Sequence, residues 1–378
     1  ILLLIAVTVN VVFFLYDNKP VMDEDIINKE NVAHETYIKN YHEEVNAIID
    51  NADKLKKYSI FNKAGSFSYA NILQTARDFE RVKNVILPED EYKGVQAYTT
   101  YYYQYFFTML VMMFVIYDMF AQRDNGMWSI TYSCANGRIM YAIKQTGVIV
   151  VTGAFTHTLI YWSTFIAAML QRGGVRDLVN PVQTIETFDK FTYPWSKIKY
   201  VTVLYLISMV CIVALCITIW GVFVMFRNRV YALVTMLIFA AVEQFIYSHI
   251  DIHSVWNGLH YINIINIINI NATFSSYRNW GVGTYVFPVF SVVLFVHIIC
   301  AGVIGYIAIN VSASMKPYKN TTFIKRFTDC VSAGCQKILA RIPFLFKEIH
   351  KFIFTSHCGW VVVVMLTVTA YNLLHLHI

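Results

Sequence analysis

The sequence predicts an all-α polytopic membrane protein with an extracytoplasmic helical hairpin, and three observations carry that reading. Of 378 residues, 57% are hydrophobic and only 14% charged, more apolar surface than a water-soluble fold of this length can hide. Seven apolar runs, at 1–16, 101–121, 147–170, 199–225, 230–248, 286–311 and 359–378, suit a ~30 Å hydrocarbon core at ~1.5 Å per residue. Basic residues alternate between loops: 122–145, 226–229 and 312–358 carry 13 Lys and Arg, whereas the short loops 171–199 and 250–285 carry six. The basic set is therefore predicted cytoplasmic. Its charge suits anionic lipid headgroups better than nucleic acid.

The run 1–16 reads as a clipped first span, because residue 1 is Ile and no basic flank precedes it. A signal peptide is the rival reading, but no small-residue cleavage site follows. Segment 17–100 then lies outside. Within it Tyr37, Tyr41, Val45, Ile48, Ala52 and Leu55 recur at steps of four and three, one stripe of a helix. A second stripe, Tyr69, Ile72, Ala76 and Phe79, follows a break around Gly65. Together they predict an antiparallel hairpin, either a partner-binding or substrate-shaping domain or a stalk packed on itself. The segment has no cysteine and is no disulfide scaffold.

Residues 101–311 form the predicted transmembrane domain, interrupted by the inner loop 121–145. There Arg123, Asp124, Gly126, Gly137, Arg138 and Lys144 stand between two long apolar runs. Flanking positive charge accounts for the basic residues alone; the two glycines add punctuation suited to a short helix. Residues 312–358 read as a cytoplasmic linker ending in an interfacial helix. Ile338, Ile342, Leu345, Ile349 and Phe352 make its apolar stripe, Lys337, Arg341, Lys347 and Lys351 lie off it, and Pro343 bends it or sets its start. The last span, 359–378, is similar to the first in its Thr-Val and Asn placement, which hints at an internal repeat.

Chemistry-bearing motifs are near misses. No G-x-x-x-x-G-K-[ST] loop occurs, so the chain has no phosphate cradle of that kind. HEEVN at 42–46 lacks the second histidine of a zinc protease. Around Asp251, His249 and His253 could put two imidazoles on one helical face, but at the wet end of a span where polar residues are expected. His157 and His297, alone in apolar spans, are expected to bond to neighbouring helices. Glu243 is the one carboxylate well inside a predicted span, ~20 Å from Arg229 along the helix. Beside Gln244 it is a candidate pathway or gate residue; the alternative is a hydrogen bond to Gln244 or a tyrosine hydroxyl. No catalytic residue and no metal ligand set is predicted.

Arg123, Asp124 and Gly126 followed by Gly137, Arg138 and Lys144 resemble the inner loop of type 2 ABC transporter permeases, where such residues open a coupling helix and lead into the next span. SIFNKAGSFSYANILQTA (59–76), DLVNPVQTIETF (177–188) and LHYINIINII (259–268) are similar to a long-chain permease type common in Gram-positive bacteria. The resemblance implies a six-helix permease half followed by the first span of a second half. A missing interfacial helix at the start and a missing second half then make this chain an excerpt. It also implies a separate ABC ATP-binding subunit holding ATP and Mg, a second permease half in the same polypeptide or a second copy, and a place in the cell membrane. The expected function is the permease of an ATP-driven exporter, itself no enzyme. The alternative is a proton-coupled secondary transporter with Glu243 as its titrating group.

Overall fold

The computed structural model describes residues 2–19, 24–58, 65–88, 93–121, 137–226, 228–250 and 256–314, with Phe61, Lys63, Ser133 and Ser254 as isolated positions between them. The chain divides into two compact units, 1–315 and 316–378. The second unit lies outside the described residues, and with it the interfacial helix and the span expected at 359–378.

Besides three short 3-10 helices (Arg176–Val179, Val182–Thr184 and Glu186–Phe188), twelve α-helices and one strand pair are described in the first unit. In chain order they are α1 (Leu2–Asp17), α2 (Glu24–Leu55), α3 (Phe67–Glu80), α4 (Gly94–Thr100), α5 (Tyr103–Met119), α6 (Gly137–Arg172), α7 (Lys197–Met225), α8 (Arg229–His249), α9 (Asn257–Ile262), α10 (Ile265–Ile268), α11 (Ile270–Ser275), β1 (Asn279–Val282), β2 (Tyr285–Pro288) and α12 (Val289–Ala313). Four helices, α6, α7, α8 and α12, are long and apolar enough to cross a membrane, while α1 and α5 are apolar but shorter, at 16 and 17 residues. The chain is thus a largely helical protein compatible with embedding in a membrane.

The run expected to span from 286 begins at Val289 instead. Residues 279–288 pair as an antiparallel two-stranded ribbon with Val282 opposite Tyr285, so the chain departs from all-α there. Gly283, at φ +64°, takes the first turn position, where a left-handed residue lets the strands keep their twist. Aromatic and β-branched residues on both sides complete the preference.

α7 is the central element, burying fifteen residues from Lys197 to Val224. It crosses α12 at close range through small residues. A β-carbon on Gly221 would meet Ile304 Cγ2 at 2.4 Å, and one on Gly305 would meet Ile217 Cγ2 at 3.0 Å. Where lipid removes the hydrophobic drive between helices, such close approach supplies the van der Waals contact. By contrast α8 buries just Ala232, Leu233 and Met236.

At one end of the bundle α2 and α3 pack through Tyr41, Val45, Phe79 and Val82, with Tyr37, Ile48 and Tyr277 against them. Ser66 sets the start of α3 by accepting the Tyr69 N–H at 3.2 Å, a side-chain N-cap. The loop 176–196 and the region from α9 to β2 meet this pair. Tyr37 donates to the Gln183 carbonyl at 2.8 Å, Tyr277 to Asp78 Oδ2 at 3.0 Å, and Asn279 to Asn71 Oδ1 at 2.9 Å.

Candidate functional site

Of the six residues expected at the coupling loop, Arg123, Asp124 and Gly126 lie outside the described residues. Gly137 opens α6, and Arg138 and Lys144 sit exposed in its first turns. At 36 residues α6 is ~54 Å long, ~24 Å more than a hydrocarbon core. Its far end is fixed: Arg172 donates to the carbonyls of Asn18 at 3.1 Å and Lys19 at 2.8 Å, and Gln171 to that of Leu15 at 3.0 Å. Those bonds satisfy the carbonyls left open where α1 ends. The Arg138 end holds the close of α5 and α7 and the start of α8, where Phe120 meets Phe223 at 5.7 Å and Arg229 covers the Tyr117 ring at 4.4 Å.

Among the described residues Glu243 bonds neither to Gln244 nor to a tyrosine. Its Oε2 accepts the backbone N–H of Ile264 at 3.0 Å, and its carbonyl accepts Asn263 Nδ2 at 2.7 Å. Asn263 Oδ1 in turn accepts the Ile265 N–H at 2.8 Å. The carboxylate therefore serves the N–H groups that a short helix leaves open where α10 begins. Gln244 is exposed. Near the same end of α8 the His260 ring stacks on Tyr247 at 4.6 Å. No group of three His, Cys, Asp or Glu suited to a metal exists among the described residues; Asp251 and His253 lie outside them.

The bundle interior holds two polar knots instead. In the first, Asn10 on α1 donates through Nδ2 to Thr164 Oγ1 on α6 at 2.7 Å, and Tyr101 donates to Asn10 Oδ1 at 3.0 Å. Asn10 and Thr164 are fully buried. In the second, His157 on α6 meets Ser208 Oγ on α7 at 2.8 Å, Tyr161 donates to the Val201 carbonyl at 2.7 Å, and Thr158 meets the Tyr205 hydroxyl at 2.8 Å. His157 bonds to a neighbouring helix as expected, whereas His297 meets the Val293 carbonyl of its own helix at 2.7 Å. Rings enclose the His157 knot: Tyr105 and Tyr205 stack on the imidazole, each at 5.9 Å, and Tyr161 stands edge-on at 5.4 Å.

Sequence reasoning did not pick out Gln183, which organises the 176–196 loop. Fully buried, it donates through Nε2 to the carbonyls of Phe191 at 2.9 Å and Tyr193 at 2.7 Å. Nothing in a loop sequence marks such a residue. Asn10 did carry a signal, as the one amide in a 16-residue apolar run.

At the α2–α3 end burial pushes the Tyr37 hydroxyl above its ordinary range, helped by Tyr41, Asp189, Glu44 and Glu186; burial, then Asp189, does the same to Tyr41. Tyr277 is pushed up to about 12, chiefly by burial. The helix α2 carries eight acidic and three basic residues, so this end is negative where the start of α6 is positive. Compared with models of protein families, with curated proteins and with solved structures, the chain matches none.

Proposed function

We propose that the chain is the membrane permease component of an ATP-driven ABC exporter, taking force from a separate ATP-binding subunit that docks on the 121–145 loop. The observation that carries this is α6, a 36-residue helix longer than a hydrocarbon core, with exposed Arg138 and Lys144 at the end reached from that loop. A rigid helix moved at that end passes the motion to the opposite end of the bundle. Basic side chains there suit an acidic docking face, and ATP and Mg belong to the partner. Six spans, a second permease half, a cell-membrane location and an extracytoplasmic 17–100 segment are parts of the same reading. Charge supports the sidedness. Glu243 spends an oxygen on the Ile264 N–H, which favours a capping role over the proton site of a carrier.

The test is purification of the full chain from native membranes in nanodiscs. Vanadate-sensitive ATP hydrolysis should co-elute with it and with a second chain bearing a G-x-x-x-x-G-K-[ST] loop. Arg138→Glu should separate the two while leaving the permease in the membrane. Elution without hydrolysis or an ATP-binding chain, together with uptake driven by a pH gradient and lost in Glu243→Gln, overturns the proposal in favour of the carrier.

A further inference from the structure

Two short elements at the α2–α3 end carry apolar side chains outward although each is packed on another side. The faces of the ribbon are fixed by its register: Val282 stands opposite Tyr285 and Trp280 opposite Phe287, while Gly281 and Val286 pair on the reverse face. That reverse face lies on α3. A β-carbon on Gly281 would meet the Phe67 ring at 2.3 Å, and Asn279 donates to Asn71 Oδ1 at 2.9 Å. On the front face α9 holds Trp280: a β-carbon on Gly258 would meet its ring at 3.6 Å, and the Tyr261 ring stands at 5.9 Å. Around that contact Val282, Tyr285 and Phe287 on the ribbon, with Trp256, Leu259 and Ile262 at α9, are between 38% and 71% exposed. A two-stranded ribbon is marginal alone. Set between α3 and α9, this one holds its apolar face outward in a fixed form.

The depth of this face is set by the helices beside it. Tyr247 on α8 stacks on His260 at 4.6 Å, and Glu243 accepts the Ile264 N–H at 3.0 Å and, through its carbonyl, Asn263 Nδ2 at 2.7 Å. The α9 segment therefore lies against the last two turns of α8, whose 21 residues run ~31 Å, about the thickness of a hydrocarbon core. At that level α8 itself leaves Val242 and Phe245 exposed. The base of the ribbon is tied to the start of α12, because Pro288 runs straight into that helix and the Val289 N–H donates to the Arg278 carbonyl at 2.9 Å. Apolar surface thus continues from two candidate spans onto α9 and the ribbon, with the Trp and Tyr that settle at headgroup level. Arg278, exposed at the ribbon's base, can reach lipid phosphate while its stem lies on apolar surface. From this arrangement we infer that α9 and the ribbon form a lipid-seated surface, whose six exposed side chains enter the headgroup and upper acyl layer of the leaflet at this end. Through the ribbon's other face that seat anchors the α2–α3 module to the bilayer. The inference rests on α8 and α12 crossing a membrane, and not on an ATPase or on Glu243 as a carrier site.

Photocrosslinking of the full chain, in phosphatidylcholine nanodiscs and in native membranes, tests the seat. In nanodiscs Leu259→p-benzoylphenylalanine and Tyr285→p-benzoylphenylalanine, each made singly at an exposed position, should yield phospholipid adducts by mass spectrometry several-fold above the same group at Lys54 on α2. Phe295, exposed within α12, serves as the bilayer reference and should label as strongly as they do. Adducts at Leu259 and Tyr285 no greater than at Lys54, beside strong labelling at Phe295, overturn the inference and leave the spans standing. So does crosslinking of those two positions in native membranes to another protein or to a second copy of the chain in place of lipid, which makes the face a protein-docking surface. Absence of lipid adducts at Phe295 as well overturns the membrane reading beneath it.

Discussion

At one end of the bundle, segments far apart in sequence are tied by side chains: Tyr37 to Gln183, Tyr277 to Asp78, Asn279 to Asn71. At the other, the described helix ends carry Arg138, Lys144 and Arg229, and the first turns of α6 are largely exposed. The first end ties distant segments together and builds a module on acidic α2. The second presents basic charge on a helix longer than a bilayer needs. The difference separates an end tied together by side chains from an end with exposed basic charge, and the proposed docking rests on the second.

The largest effect should come from the basic end. Reversing charge with Arg138→Glu and Lys144→Glu together should reduce coupled ATP hydrolysis by roughly tenfold or more, since like charges across an interface repel. The same reversal at Lys39 and Lys54 on α2 should leave it unchanged. Equal loss at both ends would erase the functional contrast.

The middle of the bundle should be next. Gly221→Ile puts side-chain atoms where Ile304 already sits at 2.4 Å, an overpacking cost of ~1 to 3 kcal/mol, read as a lower melting temperature in nanodiscs. At the acidic end, Tyr277→Phe removes one donor from Asp78 while Gln74 at 2.9 Å and Arg81 at 3.1 Å remain, a loss of about 1 kcal/mol. Alkali tests the same end. Tyr277 ionises more easily unfolded than folded, so its contribution is complete below the ordinary tyrosine range near 10 and disappears as pH rises to about 12. Proteolysis of 24–88 should accelerate in that window; acceleration already at neutral pH would contradict the account. The smallest effect is Lys56→Ala. It removes the 2.6 Å bond that holds Asp53 below the usual carboxylate range, so NMR should show Asp53 titrating higher with the fold unchanged.

Length and composition made α6, α7, α8 and α12 legible, because a continuous apolar run is a strong signal. Its ends were less so. The turn at Gly283 removed the first residues of the 286–311 run, since four-residue strands leave too short a period to outweigh an apolar neighbour. The stripe through Tyr41, Val45 and Ala52 does face inward, as a helical period predicts. Glu243 stood out as an ionisable residue, but its partner, the Ile264 N–H, is a backbone group no sequence pattern advertises. His157 likewise looked like a lone histidine, and its partner, the Ser208 hydroxyl, emerges only once α6 and α7 are packed together.

The central claim is that the two ends lie on opposite sides of a membrane, with the module outside. Single cysteines replacing Lys54 on α2 and Lys144 on α6, labelled in intact cells with an impermeant thiol reagent and corrected for the parent chain, test it most directly. The account predicts labelling at 54 alone, with 144 reacting after the cells are opened. Labelling at 144 alone, or at both positions in intact cells, would contradict it.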